Sequence, residues 1–306
     1  MRILTGVYRL RAGGLALLPT ADNTRGLLLA FVAAALFATT AAMAKVAVTE
    51  FHVLQILFFR QLVVFCSSLP AIYQNFPSAL RTEFPLQHVL RVTGAFTALV
   101  CSIWAVAVLP LTTAVTLGFA QVFFVALFAA FFLQEKVGMH RRIAVIAGFA
   151  GVLVAMRPGT QGLLNLYSLI PVVGALGAAV AITSVRKLSQ TESTATLLVY
   201  QATFVGVLAG IPLFWLWVTP GFYDLLFLLG IGVIAAMGQW IGVNALRIGE
   251  ASVIGNVEYT KLVFAAVVGY AIFGEVPDGY TLAGAVIIVI AAVYLYHREQ
   301  LGKNVL

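Results

Sequence analysis

Apolar stretches recur along this chain, and the segments between them are too short to form a soluble domain. Each stretch approaches the roughly 20 residues that a helix needs to cross the hydrocarbon core of a bilayer. Proline, glycine or polar residues separate the stretches, as is typical of helix ends. The pattern predicts an all-α polytopic membrane protein with ten transmembrane helices, at residues 26–46, 53–73, 87–108, 111–132, 142–156, 164–185, 196–217, 224–246, 251–273 and 279–296.

The composition leads to the same class of protein. Hydrophobic residues make up 62% of the 306 residues and charged residues 9%, whereas a soluble domain has about 25% charged residues. The net charge of +7 comes mostly from loops and helix ends, so it reports membrane orientation and does not indicate a nucleic-acid partner. Cys66 and Cys101 fall inside predicted spans without metal-site spacing, and we expect no metal and no cofactor.

The two halves of the chain resemble each other at an offset of about 140 residues. This offset places Glu135 on Glu275, Phe119 on Tyr259 and Phe124 on Phe264. The mid-helix polar residues differ, because Gly118 falls on Glu258 and Gln121 falls on Lys261. We therefore predict two copies of one ancestral unit with an asymmetric polar site.

Five spans per unit is an odd number, so the second unit must enter the membrane from the opposite side. We predict a tail at 1–24, inverted five-helix repeats at 25–158 and 159–297, and a second tail at 298–306. The basic residues place both tails in the cytoplasm, because one side collects Arg2, Arg9, Arg11, Arg25, Arg81, Lys136, Arg141, Arg142, Arg186, Lys187, Arg247, Arg298 and Lys303. The opposite side would have Arg157 and Lys45. A cleavable signal peptide within residues 1–23 is the less favoured interpretation of the first tail.

The most informative pair of residues is Glu258 and Lys261, three residues apart near the middle of the ninth span. Residues at this spacing share one helix face, and ionisable residues within a membrane usually face a protein interior or a wet cavity. We favour a role in binding a polar solute or a proton. The alternative is a pair of charges that only neutralise each other.

Other polar and aromatic residues fall at similar depths. Tyr259 offers a ring and a hydroxyl beside the charged pair, and Gln121 occupies the equivalent depth in the first half. Trp240 and Asn244 lie on one stripe of the eighth span, where Asn244 could equally join two helices. Trp104 is included because the offset aligns it with Asn244.

Two further cations and several glycines have structural alternatives. Lys45 is a candidate for substrate binding or for extending to the membrane interface, whereas Arg60 is interpreted as structural, paired with a helix end. Glu135 and Glu275 suit the N-terminus of the helix that follows each of them. The four glycines that we expect to permit close helix packing are Gly148, Gly151, Gly174 and Gly177.

Sequence signatures of catalysis are missing. The chain has no Walker-type glycine loop, no HExxH motif, no aspartate-rich pair and no serine, histidine and aspartate set in a plausible context. We therefore predict that the protein is not an enzyme.

Two long segments resemble the EamA type of the drug/metabolite transporter superfamily. They are IWAVAVLPLTTAVTLGFAQVFFVALFAAFFLQEKV and VNALRIGEASVIGNVEYTKLVFAAVVGYAIFGEVPDGYTLAGAVI, supported by FFRQLV around Arg60 and AMAKVAV around Lys45. The resemblance extends from about residue 25 to residue 297. It differs from the commonest pattern in the ninth span, where many members have a proline after the glutamate and this chain has Tyr259.

The resemblance implies a central substrate cavity between two inverted repeats, and secondary transport by alternating access. The compact loops favour a bacterial inner membrane over an organelle membrane. Within this layout the substrate-binding candidates are Lys45, Trp104, Gln121, Trp240, Asn244, Glu258, Tyr259 and Lys261. The expected substrate is a small polar or amphipathic metabolite, such as an exported amino acid or related compound, with a proton as a candidate coupling ion. The alternatives are uptake of a vitamin or nucleoside-like metabolite such as riboflavin or S-adenosylmethionine, and a passive channel. A monomer and a homodimer both remain open.

Overall fold

The computed structural model describes residues 23–74, 82, 84–132, 139–156, 166–188, 192, 194–248 and 259–303. Within these ranges the chain is helical and has no strand. The helices are α1 Asn23–Ala47, α2 Val53–Gln74, α3 Pro85–Val108, α4 Leu111–Gly118, α5 Ala120–Phe132, α6 Met139–Met156, α7 Leu169–Leu188, α8 Thr194–Gly210, α9 Leu213–Leu216, α10 Phe222–Ile248, α11 Thr260–Phe273 and α12 Gly279–Lys303. A short 3₁₀ turn, Leu166–Ser168, precedes α7.

Six stretches of the described chain are long and apolar enough to cross a bilayer, namely Thr24–Ala47, Val53–Pro70, Pro85–Val108, Leu111–Phe128, Leu166–Val185 and Phe222–Gly242. The shorter apolar helices Arg142–Met156, Thr196–Gly210, Thr260–Phe273 and Gly279–Tyr294 occupy the positions of the other predicted spans. The protein is therefore a multi-pass membrane protein built from helices, as the sequence predicts.

Two predicted spans are interrupted, and the tenth is longer than expected, because α12 continues to Lys303. The seventh was expected to continue to residue 217, but α8 ends at Gly210, and Pro212 is the N-cap of the short helix α9. The fourth is divided at Phe119, whose backbone N–H is shared between the carbonyls of Val115 and Thr116. Proline has no N–H to continue a helix, which accounts for the first interruption.

Helix pairs from different parts of the chain make the most extensive contacts. These pairs are α3 with α7, α6 with α12, α1 with α10 and α2 with α8. In α1 the buried face is a stripe of small residues at a spacing of four, Ala30, Ala34, Ala38 and Ala42. Small side chains allow helices to approach closely, which is the usual basis of packing between membrane helices.

Glycines permit the closest of these approaches. A β-carbon on Gly177 would lie 2.8 Å from the Gly94 carbonyl oxygen, so the backbones of α3 and α7 touch. A β-carbon on Gly148 would overlap the ring of Phe123, and one on Gly174 would lie 2.8 Å from Cys101 Cβ. On Gly151 it would lie 2.9 Å from Ile287 Cγ2. The packing role predicted for these four glycines is confirmed.

The outer surface of the helix bundle is also apolar. Large side chains that project outward include Leu28, Ile146, Val263 and Ile290, each more than 60% exposed. Exposed apolar area of this extent would promote aggregation of a soluble protein. It suits helices whose outer faces contact lipid tails.

Candidate functional site

A cavity of about 370 Å³ lies among α1, α2, α3, α4, α5, α7, α10 and α11. Small and apolar side chains form most of its wall, and five polar side chains interrupt it, those of Thr40, Arg60, Ser102, Gln121 and Lys261. Cavities of roughly 300–1,000 Å³ with few polar groups are typical of small-molecule sites. No carboxylate occurs among the lining residues that the structure describes.

Aromatic rings lie beside Lys261 and on the cavity wall. The Lys261 Nζ atom lies 4.9 Å from the centroid of the Phe37 ring on α1, a distance that permits a cation–π interaction. The ring of Phe119, which lines the cavity, lies 5.4 Å from the ring of Tyr259 with an interplanar angle of 37°. A ligand here would meet both cationic and aromatic surface.

Close packing of α2 against α10 brings Arg60 to the cavity. A β-carbon on Gly232 would lie 2.7 Å from Val63 Cγ2 and 3.3 Å from Arg60 Cα, so only glycine at this position allows the two helices to approach so closely. The Arg60 Nε atom is buried and has no hydrogen-bond partner. Arg60 also lines the cavity, and no hydrogen bond joins it to a helix end among the described residues, so its interpretation as the structural partner of a helix end gains no support.

Just beyond the cavity, a polar contact joins the ends of four helices, α1, α3, α4 and α11. Lys45 Nζ at the end of α1 lies 2.5 Å from Glu275 Oε1 and donates a hydrogen bond to the Leu109 carbonyl at 2.7 Å. The other carboxylate oxygen, Glu275 Oε2, accepts the Leu111 backbone N–H at 2.7 Å, at the first residue of α4. Because Ala44, Val106 and Ala114 line the cavity, the Lys45–Glu275 contact lies just past one end of it.

Glu275 was expected at the N-terminus of the helix that follows it, and this expectation is wrong. The carboxylate stabilises the start of α4 instead. Asp278 caps the following helix, α12, because its Oδ1 accepts the Thr281 backbone N–H at 2.8 Å. The equivalent residue Glu135 lies outside the described residues.

At the opposite end of α3, a second polar cluster fastens this helix to the start of α8. His88 Nε2 lies 2.6 Å from Glu192 Oε2, and Thr82 donates a hydrogen bond to the other oxygen of Glu192. Arg91 donates to the Leu197 carbonyl and to Gln201 Oε1. No role for these residues was predictable from the sequence, because their partners lie more than 100 positions away.

The structure brings some of the predicted site residues together. Gln121 and Lys261 both line the cavity, and Tyr259 contacts the lining residue Phe119. Lys45 takes part in the contact with Glu275 and is not among the described lining residues. Glu258 lies outside the described residues, and its role stays a prediction.

Three predicted residues are placed away from the cavity wall. The side chain of Trp240 is 71% exposed and that of Trp104 is 47% exposed. Asn244 Nδ2 donates to the Trp240 carbonyl on its own helix at 3.0 Å. Among the described residues the lining includes none of these three, so contact with a substrate would require a different arrangement of the helices.

Comparison with known proteins assigns the chain to a family. The model of the EamA-like transporter family matches the chain twice, at residues 24–157 and at residues 166–296. The chain belongs to the EamA-like transporter family. Its apolar helices and internal cavity are thus those of a small-molecule transporter in a membrane.

Several characterised bacterial proteins are similar over most of the chain. A pseudopaline exporter of Pseudomonas aeruginosa is 31% identical over 277 residues, covering 90% of this chain and 97% of the exporter. An S-adenosylmethionine uptake transporter of Rickettsia felis is 28% identical over 258 residues, covering 84% of this chain and 87% of that transporter. A riboflavin transporter of Vibrio cholerae is 31% identical over 226 residues, covering 72% of this chain and 74% of that transporter.

A solved crystal structure of a protein has the same fold. It aligns with a TM-score of 0.63 over 89% of this chain and 96% of its own, at 16% sequence identity. The names of the relatives indicate transporters rather than enzymes. Because these names include both uptake and export, the family alone fixes neither the substrate nor the direction.

Proposed function

We propose that this EamA family member is a secondary transporter that moves a small polar or amphipathic metabolite across a bacterial inner membrane by alternating access. The single observation that carries the proposal is the internal cavity of about 370 Å³, with cationic and amide side chains on an otherwise apolar wall. A polar solute would lose its water in such a bundle and would need these groups to replace it.

The proposed scaffold is two inverted five-helix repeats with both termini in the cytoplasm. The two matches to one family model, at 24–157 and 166–296, support the repeat. The helix pairs support it as well: a two-fold axis would exchange the pair α1 with α10 for the pair α3 with α7, and both pairs pack extensively. The excess of basic residues on one side supports the orientation.

The first candidate substrate is an amino acid or a related compound, moved outward. Its ammonium and carboxylate groups would pair with Glu258 and Lys261, and Glu258 would take up a proton if transport is proton-coupled. Gln121 and Tyr259 would add an amide and a ring beside this pair. The similarity to the pseudopaline exporter over nearly the whole chain supports export.

The second candidate is uptake of a vitamin or nucleoside-like metabolite. The names of two relatives, an S-adenosylmethionine uptake transporter and a riboflavin transporter, favour it. The rings of Phe37, Phe119 and Tyr259 could accept a planar heterocycle by stacking.

Counterflow in proteoliposomes tests the proposal. Vesicles are loaded with one compound from a panel of amino acids, S-adenosylmethionine and riboflavin, and the labelled compound is added outside. An alternating-access transporter accumulates label transiently and saturates, whereas a passive channel does neither. Protein-free vesicles are the control. If no compound in the panel exchanged, or if flux stayed linear with concentration, the proposal would be refuted.

A further inference from the structure

Arg60 is a half-buried cation that has no hydrogen-bond or ion-pair partner among the residues that the structure describes. It lies on α2 within a membrane-spanning stretch and lines the cavity. The Nε atom has no hydrogen-bond partner, and in the described ranges no ion pair includes Arg60. Removing a guanidinium from water is costly unless an anion or a set of acceptors compensates it.

Arg91 provides the contrast within the same protein. It is buried in a membrane-spanning helix, and its Nε atom likewise lacks a hydrogen-bond partner. However, the two terminal nitrogens of Arg91 donate to the Leu197 carbonyl and to Gln201 Oε1, both on α8. Arg91 thus fastens two helices together, whereas Arg60 presents its charge to the cavity.

Two basic side chains lie in the described part of the cavity wall. Arg60 and Lys261 contribute two cations, and no described lining residue contributes a carboxylate. A planar guanidinium offers two parallel donors that match the two oxygens of a carboxylate. Before a substrate binds, water can solvate these cations, and an anionic group of the substrate can replace this water.

We propose that Arg60, together with Lys261, binds a carboxylate of the transported metabolite, so that the substrates of this protein are organic acids or amino acids carrying a carboxylate. The inference rests on the proposed transport function. Arg60 holds the carboxylate by its two terminal N–H groups, Lys261 adds charge, and the apolar part of the metabolite lies on the rings of Phe37 and Phe119.

The proposal ranks the candidate substrates. Amino acids and S-adenosylmethionine carry a carboxylate, whereas riboflavin carries none. The cavity chemistry therefore favours the first two compounds. It also predicts that converting the carboxylate of a substrate to an amide abolishes most of its binding, because the amide has no charge to pair with Arg60.

The experiment uses the full-length protein in proteoliposomes and a panel of matched compounds. Each carboxylate is paired with its amide, for example phenylalanine with phenylalaninamide and methionine with methioninamide, and riboflavin and phosphate esters complete the panel. We expect the wild type to prefer the carboxylate of a pair by about tenfold or more. Equal transport of acid and amide, or transport of riboflavin or phosphate esters alone, would overturn the carboxylate proposal and leave the transport function standing.

Variants of Arg60 test whether this residue causes the preference for the carboxylate over the amide. Arg60→Gln should raise the KM of the carboxylate about tenfold or more and remove the preference for acid over amide. Arg60→Lys should recover part of the preference for acid over amide. Lysine restores the positive charge but lacks the two parallel N–H donors of the guanidinium. Arg142→Gln is the matched control, since Arg142 is exposed at the start of α6 and lies outside the described cavity lining.

A structural role would produce a different result. If Arg60 only supported folding, Arg60→Gln would lower the amount of active protein and leave the acid-to-amide ratio unchanged, and this result would refute the proposal. If Arg60→Gln did not fold, the acid-to-amide transport ratios of the wild type, Arg60→Lys and Lys261→Met would still test the proposal. Absence of transport of every compound would instead refute the proposed function itself.

Discussion

The ring of Phe119 lies 5.4 Å from the ring of Tyr259, and these two residues occupy equivalent positions when the halves of the chain are aligned at an offset of about 140 residues. Two equivalent residues can touch only if both lie close to the axis that relates the halves. The neighbouring equivalents Gln121 and Lys261 line the same cavity. This relationship supports the proposed inverted repeat, in which the cavity would lie near the two-fold axis.

The contact between these two rings should be measurable as a coupling energy. In a double-mutant cycle of Phe119→Leu and Tyr259→Leu, we expect a coupling of about 0.5–1.5 kcal/mol in the free energy of unfolding, which is typical of aromatic pairs. Unfolding in mixed micelles, followed by circular dichroism, provides the measurement. Phe119→Leu combined with Tyr223→Leu is the control, since Tyr223 is 83% exposed whereas Phe119 is buried. Additive effects in the first cycle would contradict the contact.

We expect the contact between Lys45 and Glu275 to open during each transport cycle. In a background with Cys66→Ala and Cys101→Ala, joining Lys45→Cys to Glu275→Cys with a cleavable thiol reagent should reduce counterflow to the level of protein-free vesicles. Cleaving the reagent should restore it. The physical reason is that the link holds the ends of α1 and α11 together just beyond the cavity.

The control for this experiment is each single cysteine treated with the same reagent. It separates the effect of the link from that of modification. Full counterflow in the linked double variant would mean that the contact stays closed throughout the cycle.

The same contact should contribute to stability. Glu275→Gln removes the negative charge from both Lys45 Nζ and the start of α4, so we expect a loss of about 1.5–3 kcal/mol, as for hydrogen bonds to charged groups. Thermal unfolding in detergent measures it. Glu50→Gln is the matched control, because Glu50 is an exposed carboxylate just after α1. Equal melting temperatures for both variants would argue against the contact.

Backbone contact between α3 and α7 predicts an unusual sensitivity to a single methyl group. In Gly177→Ala the new β-carbon would lie 2.8 Å from the Gly94 carbonyl oxygen, and backbone cannot yield as a side chain can. We expect a destabilisation of about 1–3 kcal/mol, as for overpacking. Gly118→Ala should leave the stability unchanged, since nothing lies within 4 Å of a β-carbon added at Gly118. Similar melting temperatures for the two variants would contradict the close approach.

The predicted substrate-binding residues should separate into two groups in transport assays. Gln121→Leu removes an amide from the cavity wall, and we expect the KM to rise about threefold to tenfold, equivalent to one hydrogen bond. Trp240→Leu changes an outward-facing side chain that is 71% exposed, and we expect the KM to change by less than about twofold. If Trp240→Leu had the larger effect on KM, Trp240 would enter the cavity in another state of the cycle.

The positions of the helices were predictable because they depend on local sequence. The apolar stretches give the spans, and the prolines and glycines between them give most of the ends. The extent of α8 was missed because residues 211–217 are nearly all apolar, and hydropathy alone does not reveal that Pro212 starts a new helix. Gln121 and Lys261 were identified because a polar residue in the middle of an apolar span is rare.

The sequence by itself determined that this chain is a multi-pass helical membrane protein and which polar residues lie at membrane depth. Only the tertiary structure decided which of them meet: Lys45 with Glu275, Arg91 with α8, and Arg60 with the cavity. The physical reason is that faces toward lipid and faces toward other helices are both apolar, so the sequence pattern cannot separate them. The distinction between a structural and a cavity arginine appears only when residues more than 100 positions apart come into contact.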